Sequence, residues 1–201
     1  AVLYFSIGVN AEQSILPLNN IKVIPLHNEA AKTYSDLSFA DGGRDPHIWL
    51  SPKRVSVMVD SIADELCAID EKNKDVYLKN AESFKTVLKE TDNYLIDTLG
   101  GIKNKNFISY HPAFGYFADD YGLTMHSLEK DGKEATAKHL QSMIAFAKEQ
   151  NIKTIFYQKE IDSRQSKAFA EEIGGRATQL EPLSENYIEN LKDMANALKE
   201  V

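Results

Sequence analysis

The order of apolar and polar positions in the N-terminal part of the chain predicts short strands followed by a helix. Residues 1–6 (AVLYFS) and 21–24 (IKVI) are apolar runs of strand length, with a short helical pattern between them. Residues 26–44 are polar and have little periodicity, so we expect a surface loop. A helix is predicted to begin at Pro52, with Ser51 as its N-cap. Because the first strand has no preceding cap or turn, we expect the chain to begin within a fold.

A long helical stripe and then a regular alternation of strands and helices make up the rest of the chain. The stripe runs from about Lys74 to Leu99 and is followed by Gly100-Gly101, a helix-ending signal. The strands predicted after it are 107–110, 123–128, 152–157 and 176–180, and the helices are 113–121, 135–149, 163–173 and 184–198. This alternation predicts an α/β fold with a parallel sheet between helices.

These patterns divide the chain into three parts. We expect residues 1–73 to be the remainder of an incomplete N-terminal α/β lobe. Residues 74–99 are predicted to form a linking helix, and residues 100–201 a C-terminal α/β lobe.

Composition narrows the possible functions. The net charge of -7, from 30 acidic and 23 basic residues, argues against nucleic-acid binding. No apolar run reaches the ~18 residues that a membrane-spanning helix needs. Cys67 is the single cysteine, which excludes an internal disulfide and a thiolate metal cluster. A metal site in this chain would therefore use histidine and carboxylate ligands.

Histidine and acidic residues follow the predicted strands of the C-terminal part. His111, Glu129 and Glu181 each come after a strand, and Gln158 and Glu160 follow another. In open α/β sheets ligands bind beyond the carboxyl ends of the strands, so these side chains are expected on one rim. We expect Glu129 and Glu160 to be solvated charges. Histidine and carboxylate donors suit zinc, or manganese where oxygen donors dominate.

A second histidine stands in a restricted segment of the N-terminal part. His47 lies in DPHIWLSP, where Pro46 holds Asp45 in an extended conformation. Trp49 is expected to pack behind the imidazole and fix its orientation. His47 could instead cap the following helix, and Glu181 could cap the last helix.

Several segments of the chain resemble segments of one protein family, and they occur in the same order along the sequence. DPHIWLSP at 45–52, ISYHPAFGYFADDYGL at 108–123 and the tail IFYQKEIDSRQSKAFAEEIGGRATQLEPLSENY at 155–187 carry the resemblance, and YFSIGVNAEQSIL at 4–16 extends it. They resemble the metal-type (cluster 9, or cluster A-I) solute-binding proteins of ABC transporters. The resemblance covers nearly the whole chain.

The resemblance implies a fold and a set of ligands. The fold is two α/β lobes joined by a long rigid helix, with a metal ion between the lobes. The implied metal ligands are His47, His111 and Glu181. The family's first ligand, usually a histidine, lies upstream of this chain, and Gln158 stands where the family usually has an acid. Manganese-binding members tend to carry Glu where His111 stands, so zinc is the expected metal.

The resemblance also implies a function. We expect a monomeric extracytoplasmic zinc receptor, not an enzyme, that delivers metal to an ABC-type membrane permease. It would be periplasmic or lipid-anchored on the outer face of the cytoplasmic membrane. A manganese or iron receptor is the alternative within the family. A zinc-dependent hydrolase and a surface adhesin are alternatives of other classes, although no HExxH motif supports the hydrolase. A metal-capturing role for residues 26–44, which contain His27, stays open.

Overall fold

The computed structural model describes residues 2–16, 19–129, 135–159 and 164–200. The chain forms two compact units, one made of residues 1–38 and 43–92 and the other of residues 39–42 and 93–201. Both have parallel strands accompanied by helices, as the sequence predicts. The boundary between them falls within a long helix, and the linking role assigned to that helix stays a prediction.

The first unit is built on a two-stranded parallel sheet. Strands β1 (Leu3–Ser6) and β2 (Lys22–Pro25) pair in register from Leu3 opposite Lys22 to Ser6 opposite Pro25. A 3₁₀ turn at Asn10–Ser14 lies in the connection between them. This order confirms the strand–helix–strand pattern predicted for the start of the chain.

The prediction of a loop over residues 26–44 is wrong at its beginning. Helix α1 (Leu26–Ala31) follows β2 directly and packs against helix α2 (Pro52–Ile69). Leu26 and Ala30 lie one helical turn apart, and both are buried. A helix of six residues shows less than two turns of periodicity, which is too little to distinguish it from a loop in the sequence.

Helices α2 and α3 follow the sequence pattern closely. Ser51 Oγ accepts a hydrogen bond from the Arg54 amide at 3.3 Å, and Pro52 occupies the first turn of α2, as predicted. Helix α3 runs without interruption over Lys74–Gly100. Leu88, Leu95 and Leu99 of its predicted apolar stripe are buried.

The second unit contains a four-stranded parallel sheet in the order β4-β3-β5-β6. The strands are β3 (Asn106–Ser109), β4 (Thr124–Ser127), β5 (Thr154–Gln158) and β6 (Arg176–Leu180). The helices are α4 (Gly115–Asp120), α5 (Ala137–Glu149), α6 (Arg164–Glu172) and α7 (Tyr187–Lys199). The predicted alternation is confirmed. Residue 163, where the third of these helices is predicted to begin, lies outside the described residues.

Both faces of this sheet are buried. Ile108 and Ile155 lie on one face, in a core that also contains Met143 of α5 and Phe169 of α6. Successive side chains of a strand point to opposite faces, so Phe107 and Phe156 lie on the other. Their rings make an edge contact at a centroid distance of 6.1 Å. Burial on both faces is typical of parallel sheets and explains the apolar residues of the two central strands, β3 and β5.

Within the described residues, no helix combines the length and apolar character needed to cross a membrane.

Candidate metal centre

The strand order of the second unit determines which residues share the carboxyl edge of its sheet. Read across that edge, the residues that end or follow β4, β3, β5 and β6 are Glu129, His111, Gln158 and Glu181. All four strands are parallel, so these residues leave the sheet on the same side. The predicted rim is confirmed for these positions, whereas Glu160 lies outside the described residues.

The pairing of β3 with β4 continues beyond both strands and brings His111 next to Glu129. The Leu128 amide donates to the Ser109 carbonyl at 2.9 Å, and the Glu129 amide donates to the Tyr110 carbonyl at 2.8 Å. Beyond these bonds, Nδ1 of His111 is hydrogen-bonded to Oε2 of Glu129. The prediction that Glu129 is a solvated charge is therefore wrong. Its side chain is 15% exposed, because strand pairing places it against the histidine.

This contact prepares His111 for a metal. When the Nδ1 proton is donated to a carboxylate, the lone pair of a neutral imidazole is carried by Nε2. A carboxylate partner of this kind fixes the tautomer and the ring orientation of metal-binding histidines. The His111 side chain is 28% exposed, so the ring is anchored by Glu129 and still reaches the surface.

His47 has the same kind of partner in the first unit. Oδ1 of Asp45 accepts from the His47 amide at 2.9 Å and lies 2.6 Å from His47 Nδ1. Asp45 is buried, and the ring of Trp49 meets the imidazole edge-on at a centroid distance of 5.4 Å. The predicted packing of Trp49 on His47 is confirmed. Helix α2 is capped by Ser51 and not by His47.

Glu181 has polar neighbours of a different kind. Its Oε1 accepts from Gln179 Nε2 at 3.2 Å and forms an ion pair with Lys159 Nζ at 3.5 Å. Helix α7 begins at Tyr187, and its N-cap makes no side-chain cap hydrogen bond. The carboxylate of Glu181 is thus engaged by Lys159 and Gln179. Its backbone carbonyl, and not its side chain, accepts from Asn190 in α7 at 2.6 Å.

Each of the three predicted ligands has its own charged neighbour. The structure brings His47 to Asp45, His111 to Glu129, and Glu181 to Lys159. Across the ranges that the structure describes, no three His, Cys, Asp or Glu side chains gather closely enough to hold a metal ion.

Two other histidines have local hydrogen-bonding roles. Nε2 of His126 lies 2.9 Å from Oδ1 of Asn106, and Nε2 of His139 lies 3.1 Å from the Ser127 carbonyl. Burial lowers the pKa of His126 below its usual value. These contacts give both residues a structural role in the second unit.

The carboxylates that orient the two histidines were not identified as functional from the sequence. Asp45 stands two residues before His47, a spacing that allows its side chain to reach back to the ring. Glu129 was placed on the rim, but its partner could be recognised only from the register of β3 and β4.

Comparisons with known proteins find a family match and relatives over most of this chain. Residues 1–201 match the family described as zinc-uptake complex component A, periplasmic. The zinc-binding protein AdcA of Streptococcus pyogenes serotype M3 is 33% identical over 163 residues, which cover 78% of this chain and 32% of that protein. The high-affinity zinc uptake system protein ZnuA of Bacillus subtilis is 33% identical over 169 residues, which cover 78% of this chain and 53% of that protein.

A solved structure has the same fold. The crystal structure of ZnuA superimposes with a TM-score of 0.92 at 33% identity, covering 100% of this chain and 79% of that one. The matched region spans about a third to a half of the length of the two curated relatives named above.

Proposed function

The chain belongs to the zinc-uptake complex component A family, and on this premise we propose that it binds Zn²⁺ outside the cytoplasm and delivers it to an ABC-type membrane permease. The observation that carries the proposal is the shared environment of its two candidate histidines. Each has Nδ1 bonded to a carboxylate, Asp45 in one case and Glu129 in the other. That arrangement is characteristic of histidines that bind zinc through the other ring nitrogen.

The proposed ligands are His47, His111 and Glu181. Imidazole nitrogen and carboxylate oxygen are both zinc ligands, and zinc in closed protein sites takes four donors in a tetrahedron. Three protein ligands leave the fourth position to a further donor. The Lys159 ammonium pairs with Oε1 of Glu181, so a zinc ion bound by this carboxylate is repelled by a second cation nearby.

The donor set favours zinc over manganese. Two imidazoles and one carboxylate form a softer site than the oxygen-rich sites that suit manganese. The ion is cargo in this proposal and not a catalyst, and the protein releases it unchanged. Both curated relatives are named for zinc binding or zinc uptake, which supports the same choice.

The proposed partner and location follow from the family. A zinc receptor of an uptake complex works in the periplasm or at the outer face of the cytoplasmic membrane, where it meets its permease. We propose that this chain acts there, as a monomer between permease encounters.

The proposal is tested by competition titration of the metal-free chain with Zn²⁺ and Mn²⁺. The variants H47A, H111A and E181Q remove one proposed ligand each, and H139A is the matched control because His139 bonds to a backbone carbonyl elsewhere. We expect tight zinc binding, much weaker manganese binding, and a large loss of zinc affinity in the three ligand variants alone. Zinc binding that H111A and H47A leave unchanged would refute the ligand assignment, and a preference for manganese would refute the choice of metal.

A further inference from the structure

The turn after β1 in the first unit is held from two sides by a buried carboxylate and an arginine. Glu12 is 9% exposed, and its two carboxylate oxygens accept the backbone N–H groups of Ile7 at 3.1 Å, Gly8 at 2.7 Å and Val9 at 3.1 Å. Nη2 of Arg44 donates to the carbonyl oxygens of Ile7 at 2.7 Å and Gly8 at 2.9 Å. Glu12 thus accepts hydrogen bonds from three backbone N–H groups of the turn, and Arg44 donates to two of its carbonyl oxygens.

The turn and the Arg44 side chain are in close contact at Gly8, whose backbone conformation favours glycine. Gly8 has a φ of +79°, a conformation that other residues adopt only with strain. A Cβ atom at this position would overlap Nη2 of Arg44 and lie 2.9 Å from Cε1 of His27. The Arg44 guanidinium therefore lies in direct contact with the backbone of the turn.

Arg44 also holds the segment that carries His47. Its Nη1 donates to the Asp45 carbonyl at 3.3 Å, while the Asp45 amide donates to the Leu37 carbonyl at 2.8 Å. The Asp45 backbone is thus held at both its N–H and its carbonyl group. From this position the buried Asp45 carboxylate bonds to both the amide and Nδ1 of His47.

We infer that Arg44 is a positioning residue for His47, because its guanidinium joins the Asp45 backbone to the turn braced by Glu12. Arginine suits this task since its planar group presents several donors in a rigid fork. One side chain thereby bonds three carbonyl oxygens, those of Ile7, Gly8 and Asp45. Lysine keeps the charge but concentrates its donors on one nitrogen, so it can replace only part of this network. The inference rests on the proposed role of His47 as a zinc ligand.

The variants R44M and R44K test this role, with R176M as the matched control. Arg176 is also an arginine, but it pairs with Glu200 at the surface of the second unit. The first readout is the ¹⁵N signals of the His47 ring in the metal-free chain, which report the tautomer. The second is the zinc affinity by competition titration. We expect R44M to lose the single Nδ1–H form of His47 and to bind zinc about 10-fold more weakly, a loss at the lower end of those seen for outer-shell partners. R44K should retain part of the Nδ1–H form of His47 and part of the zinc affinity. R176M should change neither the His47 signals nor the zinc affinity.

The outcomes separate this inference from the proposed function. A folded R44M chain with unchanged His47 signals would overturn the positioning role. If R44M does not fold, R44K and E12Q decide the question, because each weakens one side of the turn, and unchanged His47 signals in both overturn the inference. Altered His47 signals in R44M, together with unimpaired zinc binding by H47A, would instead refute the ligand role of His47 and leave the positioning effect standing.

Discussion

Oε2 of Glu129 is hydrogen-bonded to Nδ1 of His111, although the two residues stand 18 positions apart in the chain. The contact depends on the parallel pairing of β3 and β4, whose hydrogen bonds continue to the Glu129 amide. Strand register thus assembles the histidine with the carboxylate that orients it.

Replacing Glu129 with Gln is expected to weaken zinc binding while leaving the ligands in place. An amide is a weaker acceptor for the Nδ1 proton than a carboxylate, and losses of such partners reduce metal affinity by about 10- to 100-fold. Competition titration with zinc measures the effect. E171Q is the matched control, because Glu171 is an exposed glutamate on α6. Equal affinities for E129Q and the unchanged chain would show that Glu129 does not orient His111 for metal binding.

Replacing Lys159 with Met is expected to strengthen zinc binding. The Lys159 ammonium lies 3.5 Å from Oε1 of Glu181, so its charge disfavours a second cation at the same carboxylate. The two side chains are 63% and 39% exposed, so the pair contributes at most about 1 kcal/mol and the gain should be no more than about 5-fold.

The gain in K159M should shrink as salt concentration rises, since salt screens exposed pairs. Zinc titrations at low and high ionic strength measure this dependence. K167M, which removes an exposed lysine of α6, is the control. A weaker affinity in K159M would mean that Lys159 supports the zinc-binding geometry of Glu181 and does not compete with the ion.

Two glycine substitutions are expected to change stability in opposite directions. A Cβ on Gly175 would overlap the carbonyl oxygen of Lys153 and lie 2.6 Å from its carbonyl carbon, where β5 and β6 begin. Backbone atoms cannot rotate away, so G175A should lower the free energy of unfolding by about 3 kcal/mol. A Cβ on Gly100 would meet open space at the end of α3, so G100A should raise stability by about 0.5 kcal/mol. Urea unfolding of both variants measures the difference, and a G175A chain as stable as G100A would contradict the close approach.

Acid is expected to destabilise the fold partly through His126. Burial lowers its pKa below the usual value of 6.5, and its ring packs on Phe146 at a centroid distance of 4.4 Å. The unfolded chain therefore takes up this proton at a higher pH than the folded chain. This contribution to stability is fully present above about pH 6.5 and is lost as the pH falls below it.

Urea unfolding at about pH 7.5 and about pH 5 measures the effect of His126. We expect the free energy of unfolding to fall less between these values in H126Q than in the unchanged chain. Burial, and to a smaller extent the charge of Arg44, also lower the pKa of His27. Part of the fall in the free energy of unfolding should therefore remain in H126Q. Identical declines in both proteins would show that His126 is not responsible.

The sequence by itself determined most of the secondary structure and the chemistry of the candidate ligands. Strand β6 was predicted at its observed bounds, Arg176–Leu180, and α3 within one residue of its end, because hydrophobic periodicity is a local property. The rim that carries His111 and Glu181 also followed from the sequence, since successive strand–helix units imply parallel strands. His47 was identified as a candidate ligand from the DPHIWLSP segment, which is a local feature of the sequence.

Only the tertiary structure decided how these groups are held. The carboxylate partner of His111 depends on strand register. The contact of Arg44 with the turn after β1 joins it to Ile7 and Gly8, which precede it by 37 and 36 positions. Lys159 forms an ion pair with Glu181 because β5 pairs with β6. Helix α1 is recognisable only in the folded chain, where Leu26 and Ala30 are buried. Such relationships bring together residues that are distant in the sequence. They are invisible to periodicity and arise only when packing and strand pairing select one arrangement of the chain.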